Sequence, residues 1–131
     1  MQFVTFKLGE EYFAIDTRRV QSINEMITIT KVPKAPKHIK GLINLRGSIK
    51  PLVDIRMLLN IEDDYESENI IIVQLGNEEV GIAVDEVVEV LDIEKDKFQA
   101  VSNKSKEYIL GVIELSEDII TIPILQIDTA P

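Results

Sequence analysis

Apolar and polar residues alternate along several short stretches of the chain, as they do in half-buried β-strands. The chain begins with such a stretch, MQFVTFK, and residues 41–55, GLINLRGSIKPLVDI, contain two apolar runs on either side of Arg46 and Gly47. Alternation places apolar side chains on one face of a strand, and a glycine between two such runs is typical of a hairpin. The turn accounts for Gly47, but it gives no reason for the charge of Arg46.

The strand pattern occurs twice. Residues 4–15 align with residues 71–82 at an offset of 67, with Leu-Gly, a following Glu and a final Ile at the same places. A Leu-Gly step followed by acidic residues between two apolar runs predicts a hairpin in each copy. The first part of each half is therefore expected to be strand, glycine turn, strand.

A second hairpin follows in each half. Residues 41–45 align with residues 111–115 at an offset of 70, and residues 49–55 align with residues 121–127 at an offset of 72. In both copies the second strand contains a proline. Shared glycine and proline landmarks make a chance match of Val/Ile-rich sequence a poor explanation, so the repeat is expected to be structural.

The repeat predicts a mainly all-β fold in one domain spanning residues 1–131. The two copies cover approximately residues 3–60 and 70–128, and the acidic run at residues 61–69 is expected to be a solvated linker. Five or so short strands in about 65 residues suit a small barrel. We therefore expect two pseudo-repeated five-stranded SH3-like barrels that pack together, with short helical connections.

The connecting segments give weaker signals. Residues 17–24 are expected to form a short helix with an N-cap at residue 16 or 17, whereas residues 85–91 suit a helix or a strand equally. Proline removes a backbone donor, so Pro51 and Pro123 are expected at sheet edges or barrel corners.

Composition agrees with an ordered, β-rich protein. Val (12 residues) and Ile (21 residues) make 33 of the 131 residues, and both types favour pleated, half-buried surfaces. The absence of cysteine excludes disulfides and thiolate chemistry. No signal peptide and no apolar run of about 18 residues is present, so we expect a soluble cytoplasmic protein without membrane insertion.

Charge is unevenly distributed along the chain. The net charge of −9 disfavours nucleic-acid binding, yet residues 31–56 carry +6 and the remainder carries −15. Within residues 31–40 a lysine recurs every third residue, which in a polyproline II conformation would align the lysines on one face. We expect this basic loop to meet an acidic partner, the alternative being an ordinary solvated face. Its lysines are Lys31, Lys34, Lys37 and Lys40.

Few residues offer catalytic or metal chemistry. His38 is the only histidine and is expected to be a solvated loop residue. Asp16, Asp54 and Asp85 lie among apolar residues, but each is also placed at a strand end or turn, where aspartate caps backbone N–H groups. We expect no enzyme, no cofactor and no metal site, with an Asp54/Asp85 hydrolase as a remote alternative.

Several motifs together resemble a known family. They are FVTFKLG (residues 3–9), YFAID (12–16), RVQSI (19–23), PKHIKGLINLRG (36–47), IKPLVDIR (49–56) and VGIAVDEVVEVL (80–91). The chain resembles CheW, the chemotaxis coupling family, and the CheW-like regulatory domain of the histidine kinase CheA, from about residue 3 to residue 128.

The resemblance implies two five-stranded barrels around a shared core and a non-enzymatic role. It implies an adaptor that couples the signalling tips of chemoreceptors to CheA in a cytoplasmic array at the membrane, with the receptor's helical hairpin in an apolar groove between the barrels. It also implies a contact of one barrel with the regulatory domain of CheA. An alternative within the family is a CheW-like scaffold in another pathway, such as surface motility or gene regulation.

The same resemblance carries functional positions onto this chain. The receptor-binding positions it implies are Arg46 with Gly47, from the N-L-R-G motif, and Val20 and Val90, from the receptor-facing groove. The repeat brings Ile23 and Val87 into the same set. The repeat adds that Val20 and Ile23 are equivalent to Val87 and Val90, so the two segments are expected to meet at a pseudo-symmetric junction. The alternatives are ordinary core for the four apolar residues and, for Arg46, hydrogen bonds to carbonyls of its own turn.

The chain departs from the family pattern at two places, and its two halves differ at the position of Arg46. Many relatives carry an acid at the position of Ser22, with Glu25 as a candidate substitute here, and many have a C-terminal helical tail beyond the position of Pro131. In the second copy Ser116 and Glu117 occupy the place of Arg46 and its glycine. Because the second copy lacks the arginine, we interpret Arg46 as a coupling residue.

Overall fold

The computed structural model describes residues 1–62, 66–75, 77–100, 109–114 and 121–125. In this part of the chain, strands and short helical turns follow one another along the sequence. The strands are β1 (Gln2–Leu8), β2 (Glu11–Asp16), β3 (Val20–Glu25), β4 (Ile39–Leu45), β5 (Ser48–Val53), β6 (Asn69–Leu75), β7 (Glu78–Val84), β8 (Glu86–Asp92), β9 (Phe98–Ala100), β10 (Ile109–Glu114) and β11 (Thr121–Leu125). The helical turns are α1 (Ile55–Leu58) and two 3-10 turns, Thr17–Arg19 and Lys95–Lys97.

The strands form two sheets. Sheet A has the order β8-β1-β2-β11-β10-β9, and sheet B has the order β3-β6-β7-β5-β4. The prediction of a mainly β protein with two similar units and short helical connections is confirmed.

The two sheets do not correspond to the two halves of the sequence. Sheet A takes the β1–β2 hairpin from the first half and β8 to β11 from the second, while sheet B takes β3 to β5 from the first half and the β6–β7 hairpin from the second. The first hairpin of each half therefore lies in the sheet whose other strands come from the other half. Burial accompanies this arrangement: each of these hairpins packs one face in the shared core and its other face in a second apolar cluster.

Strand registers reproduce the repeat. Phe3 pairs with Asp16 in the first hairpin, and Ile70 pairs with Ala83 in the second, which is the same register at an offset of 67. The later hairpins also match: Pro51 lies opposite Leu42 in β5–β4, as the second-copy proline lies opposite residue 112 in β11–β10. The changing offsets inferred from the sequence are therefore those of the structure.

Three apolar clusters hold the sheets together. The shared core lies between the sheets and consists of Val4, Phe6, Leu8, Phe13, Ile15, Val53, Ile55, Ile71, Val73, Val80, Ile82 and Val84. A second cluster fills the inside of sheet B with Ile43, Leu52, Ile70, Ile72 and Ala83, and a third lies within sheet A with Phe3, Ala14 and Ile93. Alternate residues of β6 enter the shared core and the sheet B cluster, so the run Ile70 to Val73 is buried throughout.

Sheet B curls so that its two ends approach one another. Thr30, which lies beyond the end of β3, donates to the Leu42 carbonyl at 2.9 Å and accepts from the Leu42 N–H at 2.8 Å. Gly41 makes this approach possible, because a Cβ there would lie 2.4 Å from the Thr30 carbonyl oxygen. Pro51 does not lie in an edge strand; it precedes Leu52 and Val53, the residues through which β5 pairs with β7.

The connecting segments differ in part from the sequence expectation. Asp16 caps a single 3-10 turn by accepting from the Arg18 N–H at 2.9 Å, but residues 20–25 then form a strand. The equivalent segment is a strand as well, β8. Tertiary pairing with β6 and with β1 overrides the weak helical pattern of these segments.

Candidate protein-interaction site

Edge strands β3 and β8 carry the four apolar residues expected at a binding groove. Val20 and Val87 are half-buried and pack against the shared core. Ile23 and Val90 lie three residues further along the same strands and are 44% and 56% exposed. Two of the four residues are therefore core anchors and two belong to the surface.

A β-bulge places each of these pairs on one face of its sheet. The pairing of β3 with β6 shifts between Val20 and Ser22, which makes Gln21 the extra residue. The pairing of β8 with β1 shifts in the same place, at Val88. Residues three apart in a regular strand point to opposite faces, but one extra residue brings Val20 and Ile23 onto the same face.

The face that carries Ile23 and Val90 is the one that encloses the shared core. Ile23 lies opposite Ile71, and Val90 lies opposite Val4. Ile71 and Val4 are buried in the shared core. Since directly paired residues point to the same face of a sheet, Ile23 and Val90 extend the two inner faces outward to solvent.

Arg46 and Gly47 form the two-residue turn of the β4–β5 hairpin. Leu45 pairs with Ser48 across the turn, and φ is +54° at Arg46 and +86° at Gly47. Two positive φ values define a type I′ turn, which favours Asn-Gly over an arginine at the first position. The left-handed conformation costs a residue with a Cβ roughly 1 kcal/mol. Arg46 thus holds a strained position at an exposed tip.

The Arg46 side chain has no internal partner in the described part of the chain. Within that part it makes no hydrogen bond or ion pair, so the alternative of an arginine bonding its own turn is not what the described residues show. Ser22 accepts instead from the Asn24 amide at 3.0 Å, and neither it nor Glu25 contacts Arg46 among the described residues. The turn also lies at the opposite edge of sheet B from β3.

The basic loop has all four lysines exposed, but it is not a polyproline II segment. Two turns interrupt it: the Ala35 N–H donates to the Val32 carbonyl at 3.3 Å, and the Ile39 N–H donates to the Pro36 carbonyl at 2.9 Å. Lys34 also has a positive φ of 64°. Polyproline II has no internal hydrogen bonds, and here the loop has to reverse direction to lead into β4.

The three aspartates have structural partners. Asp54 caps α1 by accepting from the Met57 N–H at 3.3 Å. Asp16 accepts three side-chain hydrogen bonds from Arg18 in addition to its capping bond. The Arg18 hydrogen bonds hold the pKa of Asp16 below its usual value, while burial acts in the opposite direction. Reciprocally, Asp16 raises the pKa of the Arg18 guanidinium.

Asp85 takes part in an ion pair that the sequence did not reveal. Its carboxylate pairs with the guanidinium of Arg56 in α1 and accepts from the Gly9 N–H, and Arg56 also donates to the Ser67 hydroxyl at 3.1 Å. Both charged side chains are largely buried, at 13% and 11% exposure. The pair joins α1, the β1–β2 turn and the corner between β7 and β8. The two residues stand 29 positions apart, so no local pattern could have indicated it.

Neither a metal-binding cluster nor a membrane-spanning helix is found in the described part of the chain. Among the described residues, no three His, Asp or Glu side chains come together as a metal site would require. The helices in that part of the chain are too short and too polar to cross a membrane. The surface carries two apolar edges, a strained basic turn and a basic loop. Such a set defines an all-β domain whose exposed features suit contacts with other proteins.

Comparison with known proteins agrees with this class. The family model described as CheW-like domain matches residues 2–128. The chain is 33% identical over 122 residues to "Chemotaxis protein CheW" of Klebsiella aerogenes, covering 88% of this chain and 74% of that protein. It is 32% identical over 106 residues to the protein of the same name of Thermotoga maritima, covering 80% and 70%.

A solved structure has the same fold. The scaffolding protein TtCheW from Thermoanaerobacter tengcongensis matches with a TM-score of 0.87 and 29% identity, covering 97% of this chain and 84% of that one. The chain belongs to the CheW-like domain family. The resemblance read from its motifs is confirmed.

Proposed function

We propose that this protein is a non-enzymatic adaptor that couples the signalling tips of chemoreceptors to the regulatory domain of CheA. It would act in the cytoplasm, at receptor arrays. The observation that carries the proposal is the matched exposure of Ile23 and Val90, which occupy equivalent places on the two edge strands beside the shared core. The names of the related proteins, a chemotaxis protein and a scaffolding protein, support the same role.

The apolar margins suit a helical partner. A helix laid against the two edge strands would contribute an apolar stripe for Ile23 and Val90 to contact, and Val20 and Val87 already pack against the shared core. Complete burial of an exposed aliphatic side chain is worth about 1.5–3 kcal/mol, and about half of each of these two side chains is still exposed, so the pair would contribute roughly 1.5–3 kcal/mol in total.

The exposed charged features suit polar contacts with the same partners. Arg46 is exposed and would pair with a carboxylate of the receptor, and Gly47 permits the turn that presents it. The lysines of the basic loop are also exposed and would meet acidic residues of a partner. Ile49, at 59% exposure on β5, offers an apolar strand position for the kinase contact.

Titration calorimetry tests the proposal directly. The protein is titrated with a soluble receptor hairpin tip and, separately, with the regulatory domain of CheA. We expect saturable binding to both, and Ile23→Asp combined with Val90→Asp should weaken receptor binding by tenfold or more, because two apolar contacts become charged. Lack of binding to either partner at high micromolar concentration would contradict the proposal.

Arg46→Glu separates coupling from stability. The side chain is exposed and has no partner among the described residues, so we expect the melting temperature to stay within about 5 °C of wild type. Receptor-linked kinase activation should fall in a reconstituted assay. Unfolding of the variant would instead show that the arginine is structural.

A further inference from the structure

The tip of the β4–β5 hairpin contains one side-chain hydrogen bond. The Gly47 N–H donates to the Asn44 Oδ1 at 2.9 Å, across the turn in which Arg46 lies. Asn44 itself is exposed, so this bond is not needed to satisfy a buried group. The bond links β4 to the second residue of the turn, and it does not involve the Arg46 side chain.

The turn is defined by its backbone and not by packing. A Cβ built on Gly47 would meet nothing within 4 Å, so glycine is needed there for its φ of +86° and not for space. Arg46 also has an unfavourable φ, +54°. With no packing to hold the two left-handed residues, the bond to Asn44 is the side-chain contact that holds the tip.

The base of the hairpin is held separately. Lys50 of β5 donates to Glu79 of β7 at 3.2 Å, and the Lys50 side chain is only 13% exposed. Ile43 and Leu52 lie in the sheet B cluster below it. The base of the hairpin is therefore held by packing and an ion pair, neither of which is found for Arg46 and Gly47 among the described residues.

We propose that Asn44 is a positioning residue for Arg46. By holding the Gly47 N–H, it keeps the turn in the conformation that points the Arg46 guanidinium at a carboxylate of the receptor tip. The inference rests on the proposed function. It assigns a role to a residue that does not itself contact the partner.

A double-mutant cycle tests this role. Binding of the receptor hairpin tip is measured for wild type, Asn44→Ala, Arg46→Ala and the double variant. Loss of one neutral hydrogen bond and the resulting freedom of the tip should weaken binding about two- to tenfold in Asn44→Ala. In the Arg46→Ala background the same change should have no further effect, because the group it positions is absent.

Two measurements separate positioning from a merely structural role. Asn44→Asp retains the acceptor oxygen, so it should restore most of the binding that Asn44→Ala loses. Hydrogen exchange of the Gly47 amide should accelerate in Asn44→Ala and stay slow in Asn44→Asp. The melting temperature and the affinity for the regulatory domain of CheA serve as controls and should change little in either variant.

Failure of the proposed function of Arg46 and failure of the positioning role of Asn44 give different results. If the wild type does not bind the receptor tip, or Arg46→Ala binds normally, the proposed function of Arg46 is wrong. If Arg46→Ala weakens binding and Asn44→Ala does not, the positioning role is overturned. An equal effect of Asn44→Ala in both backgrounds also overturns it, because Asn44 would then contact the receptor directly.

Discussion

Two arginines ten positions apart have opposite surroundings. Arg46 lies at the exposed tip of the β4–β5 hairpin, at a positive φ, with no hydrogen bond or ion pair to the described residues. Arg56 lies in α1, where it is 13% exposed and pairs with Asp85 and Ser67. Both belong to motifs that carry the family resemblance, so resemblance alone does not separate their roles.

The two arginines differ in whether the charge is paired within the described part of the fold. A largely buried charge needs an internal partner, because desolvation without one is costly, and Arg56 has such a partner. An exposed charge at a strained turn gains nothing for the fold from its position. Arg56 is therefore a structural residue, while Arg46 has its charge available for another molecule.

The largest expected effect is on stability at Arg56. Arg56→Met leaves the Asp85 carboxylate largely buried without its ion partner, which should lower the free energy of unfolding by about 3 kcal/mol. The matched variant Arg46→Met should change it by less than about 0.5 kcal/mol, because the side chain is exposed. Urea denaturation of both variants measures the difference.

A compensating change sharpens this result. Arg56→Met combined with Asp85→Leu removes both charges and should recover part of the loss, since an apolar pair needs no ionic partner. The Gly9 N–H would lose its acceptor, so recovery should be incomplete. Equal stability of Arg56→Met and Arg46→Met would show that the ion pair contributes nothing.

A smaller effect of opposite sign is expected at the turn. Arg46→Asn produces the Asn-Gly pair that type I′ turns prefer, and it should raise the free energy of unfolding by about 0.5–1 kcal/mol by relieving the left-handed arginine. Receptor binding should weaken in the same variant. A variant that is no more stable than wild type would mean that the turn is not strained.

The smallest effect is expected at Asp16. Its hydrogen bonds with Arg18 lower the pKa of the carboxyl in the folded protein. Their contribution to stability is therefore fully present above the unfolded pKa of 3.8 and is lost as the pH falls through the lower folded pKa. Arg18 is 83% exposed, which screens the pair. Asp16→Asn keeps the capping oxygen and should melt within about 2 °C of wild type at pH 7.

The pH dependence checks the sign of that effect. The difference in melting temperature between wild type and Asp16→Asn should shrink as the pH is lowered below 3.8, because the wild-type carboxyl then becomes protonated. A difference that grows toward low pH would contradict the assigned direction of the pKa shift.

Much of the strand content was readable from the residues, and some connections were not. Alternation and the repeat located the hairpins with their correct offsets, because the two-residue period of a strand is written directly in its side chains. The helix expected at residues 17–24 was reduced to a 3-10 turn, since β6 offered residues 20–25 a partner. The basic loop turned twice where an extended run was expected.

The candidate site was also predicted only in part from the sequence. Comparison of the two copies singled out Arg46, and its exposure agrees with that interpretation. The sequence grouped Val20 with Ile23 and Val87 with Val90, but it could not separate anchors from surface residues. That separation depends on a bulge in each edge strand and on where the shared core ends.

By itself the sequence determined the strands of the duplicated hairpins, the family and the unmatched arginine, because these depend on local periodicity and on comparison of one half with the other. Only the tertiary structure decided that the halves exchange their first hairpins, that Arg56 pairs with Asp85, and that Asn44 closes the turn beside Arg46. The first two are contacts between residues far apart in the chain. The third depends on a rotamer and a backbone φ, which residue types alone do not specify.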